Sequence, residues 1–157
     1  MAEHPPNRTI IGAVELVGFP DWGIADLRAR VDTGARTSAL HVENVRELPG
    51  SRVRFDVRLR RSDPAARVEV EAKVSRRARV RSSTGVSELR LFVKTYVRLG
   101  GREQQIEVGL VDRRNMLYRM LLGRSALERR FLVDVTKRYA LGGVRRAKLR
   151  GEGGASR

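Results

Sequence analysis

Hydrophobic residues recur at every second position along much of this chain. Leu27, Ala29 and Val31 alternate with Asp26, Arg28, Arg30 and Asp32, and Val53, Phe55, Val57 and Leu59 alternate with Arg52, Arg54, Asp56, Arg58 and Arg60. Val68, Val70 and Ala72 repeat the pattern, as do Leu89, Leu91 and Val93, and Ile106, Val108 and Leu110. Residues two apart share one face of an extended chain, so each stretch is predicted as a half-buried β-strand. Clusters of turn-forming residues separate them: Phe19-Pro20-Asp21-Trp22-Gly23, Pro49-Gly50-Ser51, Ser62-Asp63-Pro64, Ser82-Ser83-Thr84-Gly85 and Gly100-Gly101. Many short strands with little helix predict an all-β fold, a closed or partly closed barrel. One helix is expected, from Arg124 to Arg130 after Gly123, with Leu127 and Phe131 four residues apart.

A chain of 157 residues fits one domain, and 41% hydrophobic residues suffice for a core. No apolar run approaches the roughly 20 residues of a membrane span, and Met1 to Arg8 does not read as a secretory signal. The expectation is a cytoplasmic protein with a flexible leader (1–8), one domain (9–142) and a disordered Gly- and Arg-rich tail (143–157). Cysteine is absent, which excludes disulfides, a thiol nucleophile and thiolate metal sites. His4 and His41 are the only imidazoles, neither in an H-E-x-x-H arrangement, and both read as surface or structural residues. There is no G-x-x-x-x-G-K-[ST] phosphate loop, so neither a metal nor another cofactor is expected. Net charge is +15, the excess lies beyond residue 50, and all but four of the 33 cations are arginine. Such a surface attracts polyanions, and arginine pairs with carboxylate or phosphate in a forked geometry.

The sharpest chemical feature is Asp32-Thr33-Gly34-Ala35 at the end of the strand Leu27–Val31. A glycine there lets the backbone approach another chain closely, and a threonine offers a hydroxyl to tie the loop down. Two such loops face to face would hold two carboxylates that share one proton. One would then act as base on a water while the other polarises a scissile carbonyl. A given tripeptide occurs by chance in about a few per cent of chains this long, so the motif alone decides little. About ninety residues downstream, Met120-Leu121-Leu122-Gly123-Arg124 forms a short apolar strand followed by glycine and a helix.

That order resembles the retropepsins, in which the second motif packs behind the catalytic loop, and here Leu122, Gly123 and Arg124 would give that support. The stretch Val31 to His41 is similar to the signature of a bacterial retropepsin-like family. So are Val80-Arg81-Ser82-Ser83 with Gly85, Glu88 and Arg90, and Arg119 to Arg124 through Phe131-Leu132-Val133-Asp134. The resemblance covers residues 10 to 142. The family often carries the label of an ATP-dependent zinc protease and is found with RimK-type glutamate ligases, although the nucleotide and metal signatures for such a label are missing here. The resemblance implies an aspartic endopeptidase with Asp32, Thr33 and Gly34 in the catalytic loop. Asp112 and Asp134 lack the following Thr-Gly, so the second carboxylate would come from a second copy of the chain, a homodimer.

Viral retropepsins typically carry an aspartate after D-T-G-A, and this chain has Arg36. Arg36 would then stand beside Arg124 as a like charge and welcome an acidic side chain of the substrate, such as a glutamate-rich tail. Arg79 to Arg90 is the candidate flap, with Ala35, Arg36, Arg81, Ser82, Ser83, Gly85 and Arg90 as candidate substrate-binding residues. Trp22 reads as a structural aromatic or as packing under the catalytic loop. The rival reading is a non-catalytic basic barrel that binds RNA or an acidic protein partner. Aromatic residues for base stacking make up only 5% of the chain, which disfavours nucleic acid.

Overall fold

The computed structural model describes residues 7–81 and 84–142. His4, Ser82, Ser83 and the tail from residue 143 lie outside the described residues. Within them the chain is all-β, with ten strands, one short α-helix and a single 3-10 turn at Pro20–Trp22. The strands are β1 (Thr9–Ile11), β2 (Val14–Phe19), β3 (Ile24–Val31), β4 (Ser38–Leu48), β5 (Arg52–Arg60), β6 (Asp63–Arg81), β7 (Ser87–Leu99), β8 (Arg102–Val111), β9 (Met120–Leu122) and β10 (Phe131–Val133). The helix α1 spans Arg124–Leu127. Eight strands form one sheet in the order β2-β3-β9-β4-β5-β6-β7-β8, and the extra pairings β2–β7 and β4–β8 curl it into rings. β1 and β10 pair in parallel as a separate two-stranded sheet.

Strand β9 is the keystone. It runs parallel to β3, with Ala29 opposite Met120 and Val31 opposite Leu122. On its other edge it runs antiparallel to β4, with Leu40 opposite Met120 and Ala39 opposite Leu121. Met120, Leu122, Ala29 and Leu40 are fully buried, so the strand that carries the second motif is fixed by core packing on one face. The alternation read from the sequence is borne out where the barrel closes: Leu27, Val53, Phe55, Val57, Val93 and Val108 are fully buried. Trp22 is a structural aromatic, stacked on Phe19 with ring centroids 4.9 Å apart and edge-on to Phe55.

Three expectations change and a fourth narrows. The helix stops at Leu127, because Glu128 turns extended (φ −53°, ψ 137°) and Arg129 takes φ 70°. This redirects the chain so that Phe131 enters β10 opposite Thr9 rather than a second helical turn. The turn at Ser62-Asp63-Pro64 is two residues, Arg61 and Ser62, since Asp63 already pairs with Arg60. Proline is tolerated near the start of a strand, where no N–H is needed. Leu89 is exposed, while its neighbour Phe92 is buried beneath the Arg76 guanidinium, which lies 3.9 Å from the ring centroid. Leu89 pairs with Arg79 on the hairpin that extends past the barrel, where no second layer exists to cover it. Of the two readings for His41, surface or structural, the structure takes the second, since the residue is fully buried.

Candidate active site

The Asp32 loop leaves β3 where β9 ends. Asp32 N–H donates to Leu122 O at 2.9 Å and so continues the β3–β9 pairing by one residue. Gly34 N–H donates to Asp32 Oδ1 at 3.1 Å, and Ala35 N–H to Asp32 O at 3.3 Å, which folds the loop back on its own carboxylate. The support from behind is mostly main chain. Arg124 N–H donates to Ala35 O at 2.8 Å, Ser125 N–H to Arg36 O at 3.0 Å, and Arg124 Nη1 to Thr33 O at 2.9 Å. Gly123 N–H donates to Ser38 Oγ at 3.0 Å. A Cβ on Gly123 would stand 2.6 Å from Thr37 C and 2.8 Å from Arg36 O, so no other residue fits without moving backbone. Asp32 is half-buried, whereas Thr33, Gly34 and Arg36 are exposed. Among the described residues neither the Thr33 hydroxyl nor the Arg36 guanidinium finds a partner within the chain.

The expected hairpin is formed by the ends of β6 and β7, with Arg81 opposite Ser87 and Ala78 opposite Arg90. Gly85 takes φ 84°, a left-handed turn conformation with open space around it. Arg81 is exposed beside the tip, with Val86 and Leu89 exposed next to it. Arg90 is half-buried lower down, and its guanidinium is held below the ordinary arginine range by burial and then by the nearby charge of Arg113. The two other aspartates considered are engaged elsewhere. Asp134 accepts from Thr136 N–H and hydroxyl, and Asp112 pairs with Arg114 at 3.4 Å.

A family model described as "Retropepsin-like aspartic endopeptidase RimB" matches residues 10–142. The chain belongs to the RimB-like family. A protein from Shewanella pealeana named "Probable alpha-L-glutamate ligase" is 37% identical over 139 residues, 87% of this chain and 30% of that protein. A protein of the same name from Desulfotalea psychrophila is 36% identical over 145 residues, 90% of this chain and 31% of that protein. The chain therefore spans less than a third of the length of these curated relatives. A crystal structure of a protein of unknown function from Legionella pneumophila superposes with a TM-score of 0.71 at 26% identity, over 85% of this chain and 98% of that one. Among the described residues no helix is long and apolar enough to cross a membrane.

The other end of β9 holds a cluster that strand patterning missed. His41 N–H donates to Arg119 O at 2.8 Å, and the His41 ring is clamped on both nitrogens. Nδ1 accepts from Arg113 N–H at 3.0 Å, so the ring hydrogen sits on Nε2, which donates to Glu43 Oε2 at 3.0 Å. Glu43 also meets Arg58 at 3.4 Å and Arg67 at 3.8 Å, and Arg67 pairs with Asp56 at 3.2 Å. The His41 hydrogen bond, foremost, and Arg58 hold the Glu43 carboxyl below its ordinary 4.5 against the opposing effect of burial. Leu40-His41-Val42-Glu43 is buried at all four positions, which is why no alternation marks β4 in the sequence. A buried His two residues from a buried Glu was the available signal.

Proposed function

We propose that the chain is one subunit of a homodimeric aspartic endopeptidase whose water is activated between two Asp32 carboxylates. The observation that carries this is the Asp32 loop, braced by main-chain hydrogen bonds from Leu122, Arg124 and Ser125 while Thr33 and Gly34 stay exposed. A rigid loop that offers its carboxylate and two small exposed residues suits a two-fold contact between copies, where the free Thr33 hydroxyl gains a partner. One carboxylate removes a proton from the water as its oxygen adds to the scissile carbonyl carbon. The protonated carboxyl of the partner gives its proton to the carbonyl oxygen; as the diol collapses, the first carboxyl passes the water's proton to the leaving nitrogen, the partner carboxylate takes a hydroxyl proton back, and the C–N bond breaks to release amine and acid. Arg36, exposed beside the loop, would favour acidic substrates, and the ligase names of the relatives agree with a glutamate-rich peptide. The β6–β7 hairpin, with Arg81 and Gly85, would close over the bound peptide, and Arg90 lower on the hairpin would add positive charge.

The test is cleavage of a mixed peptide set containing glutamate-rich members by the parent and by Asp32→Asn, from acidic to neutral pH. The reading requires a bell-shaped profile for the parent and a loss of about a thousandfold or more for the variant. Equal activity of the two proteins would end it. Arg36→Ala should lower the preference for acidic over neutral peptides by about tenfold, and an unchanged ratio would remove Arg36 from substrate choice.

A further inference from the structure

Arg30 stands two residues before Asp32, near the end of β3, and its side chain is exposed. The residues opposite it on both neighbouring strands are apolar: buried Val14 on β2 and half-buried Leu121 on β9. Elsewhere in the barrel arginines meet a carboxylate directly across the ladder, Arg54 with Glu71 at 3.3 Å and Arg98 with Glu103 at 2.5 Å. Among the described residues Arg30 makes no hydrogen bond or ion pair, not even with Asp32. Its guanidinium is open to solvent with every donor free.

The register also sets where Arg30 lies relative to the reaction. β3 stays paired up to Val31, opposite Leu122, and Asp32 N–H continues that pairing onto Leu122 O. Arg30 and Asp32 therefore share one face of the strand, and at roughly 3.3 Å per residue they lie about 7 Å apart. Leu121 pairs with Arg30 on one side and with Ala39 on the other, so both belong to that same face, and both are half-buried. A short apolar floor thus lies beside the carboxylate, with a free guanidinium at its β3 edge. Such a surface fits a glutamate side chain, whose methylenes rest on Leu121 and Ala39 while its carboxylate meets the forked donors of Arg30.

We propose that Arg30 selects glutamate at the substrate residue flanking the scissile bond. A peptide bound in extended form repeats at the spacing of the strand itself, so a residue beside a bond held at Asp32 comes within reach of Arg30. In a two-fold dimer each copy's Arg30 serves one side of the bond, and both flanking residues are selected. This deepens the endopeptidase reading and rests on it for the position of the bond.

A mixed peptide library is cut by the full chain and by Arg30→Met, Arg30→Lys and Arg28→Ala, and the cut sites are read by mass spectrometry. Arg28 is exposed on the same face two residues further from Asp32, so it measures the effect of one lost charge. Arg30→Met should lower the preference for glutamate over glutamine about tenfold at the two flanking positions and less than about twofold at positions further away. Arg30→Lys, which keeps the charge and loses the fork, should fall between parent and Arg30→Met. Arg28→Ala should change no position by more than about twofold. The proposal is overturned if Arg30→Met keeps the parent's flanking preference. An even fall at every position would overturn it too, since that is what a general loss of charge gives. Anisotropy of fluorescein-labelled octaglutamate with the Asp32→Asn chain separates this proposal from the reading beneath it. If the parent cuts no peptide, the endopeptidase reading falls. Binding weakened about fivefold or more by Arg30→Met, and not by Arg28→Ala, would then leave Arg30 standing as a carboxylate site. Equal binding by the two variants would end the proposal as well.

Discussion

The two ends of β9 are built on opposite plans. At the Leu122 end, Thr33 and Arg36 are exposed and Asp32 is half-buried, and the loop that holds them is tied mostly through main-chain groups and one glycine. At the Arg119 end, His41, Glu43 and Arg119 are buried, and most ties involve a side chain, with the charged ones running from side chain to side chain. Backbone ties fix a loop whatever its exposed side chains are, so the first end can change its reactive surface without losing its shape. Side-chain ties make position and charge inseparable, so the second end is intolerant of substitution. The exposed end and the buried end of β9 thus differ in the kind of hydrogen bond that holds them.

The largest expected effect lies at the first end. Gly123→Ala forces a Cβ to within 2.6 Å of Thr37 C and 2.8 Å of Arg36 O, both main chain. Neither can yield without breaking the hydrogen bonds that brace the Asp32 loop. We expect a loss of about 3 to 4 kcal/mol in urea unfolding, together with loss of any Asp32-dependent cleavage. Were the variant as stable as the parent, the backbone plan for this end would be wrong.

How far each end could be read from the sequence follows the same division. The Asp32 end was legible because backbone geometry imposes narrow residue requirements. A glycine must stand at position 123 and a short apolar strand must precede it, so motif and spacing exposed the arrangement. The barrel was legible wherever one face met core, as in Val53-Phe55-Val57. It failed in β4, where His41 and Glu43 satisfy each other inside and remove the alternation. It failed also at Leu89, whose strand continues beyond the layer that would bury it. The helix length failed because pairing of β10 with β1, a contact between distant segments, overrides the local 3.6-residue spacing of Leu127 and Phe131. Arg119 was legible as the first residue of the second motif but not as a buried one, since an arginine in an arginine-rich chain looks like surface.

A middle-sized effect is expected at the second end, and it should depend on pH. The Glu43 carboxyl is held below 4.5 by His41 and Arg58, so the folded state favours its ionised form. Stability from that preference is fully present above about pH 4.5 and is lost as pH falls through the lower folded value. Glu43→Gln should cost roughly 2 kcal/mol at neutral pH, since it leaves Arg58 and Arg67 less neutralised. The gap between variant and parent should narrow below pH 4.5, as the parent protonates and loses the same interactions. Melting temperature against pH reads both quantities. A gap constant across acid pH would mean that the charge of Glu43 contributes nothing to this end.

The smallest effect tests a side chain that crosses from the second plan into the first. Ser38 Oγ accepts the Gly123 N–H at 3.0 Å, inside a buried environment, so a hydroxyl joins the Arg124 guanidinium in completing a brace made mostly of backbone. Ser38→Ala leaves that N–H buried without an acceptor and should cost about 1 to 2 kcal/mol. Ser38→Thr keeps the oxygen and adds only a methyl, and β-branching is well tolerated in a strand, so it should lie closer to the parent than alanine does. If the Asp32 loop is held chiefly by main chain, Ser38→Ala should lower stability yet leave peptide KM and the pH profile of cleavage in place. If cleavage fell much further than stability at a temperature where the variant is fully folded, the hydroxyl would be positioning the loop. The contrast between the two ends of β9 would then be one of degree.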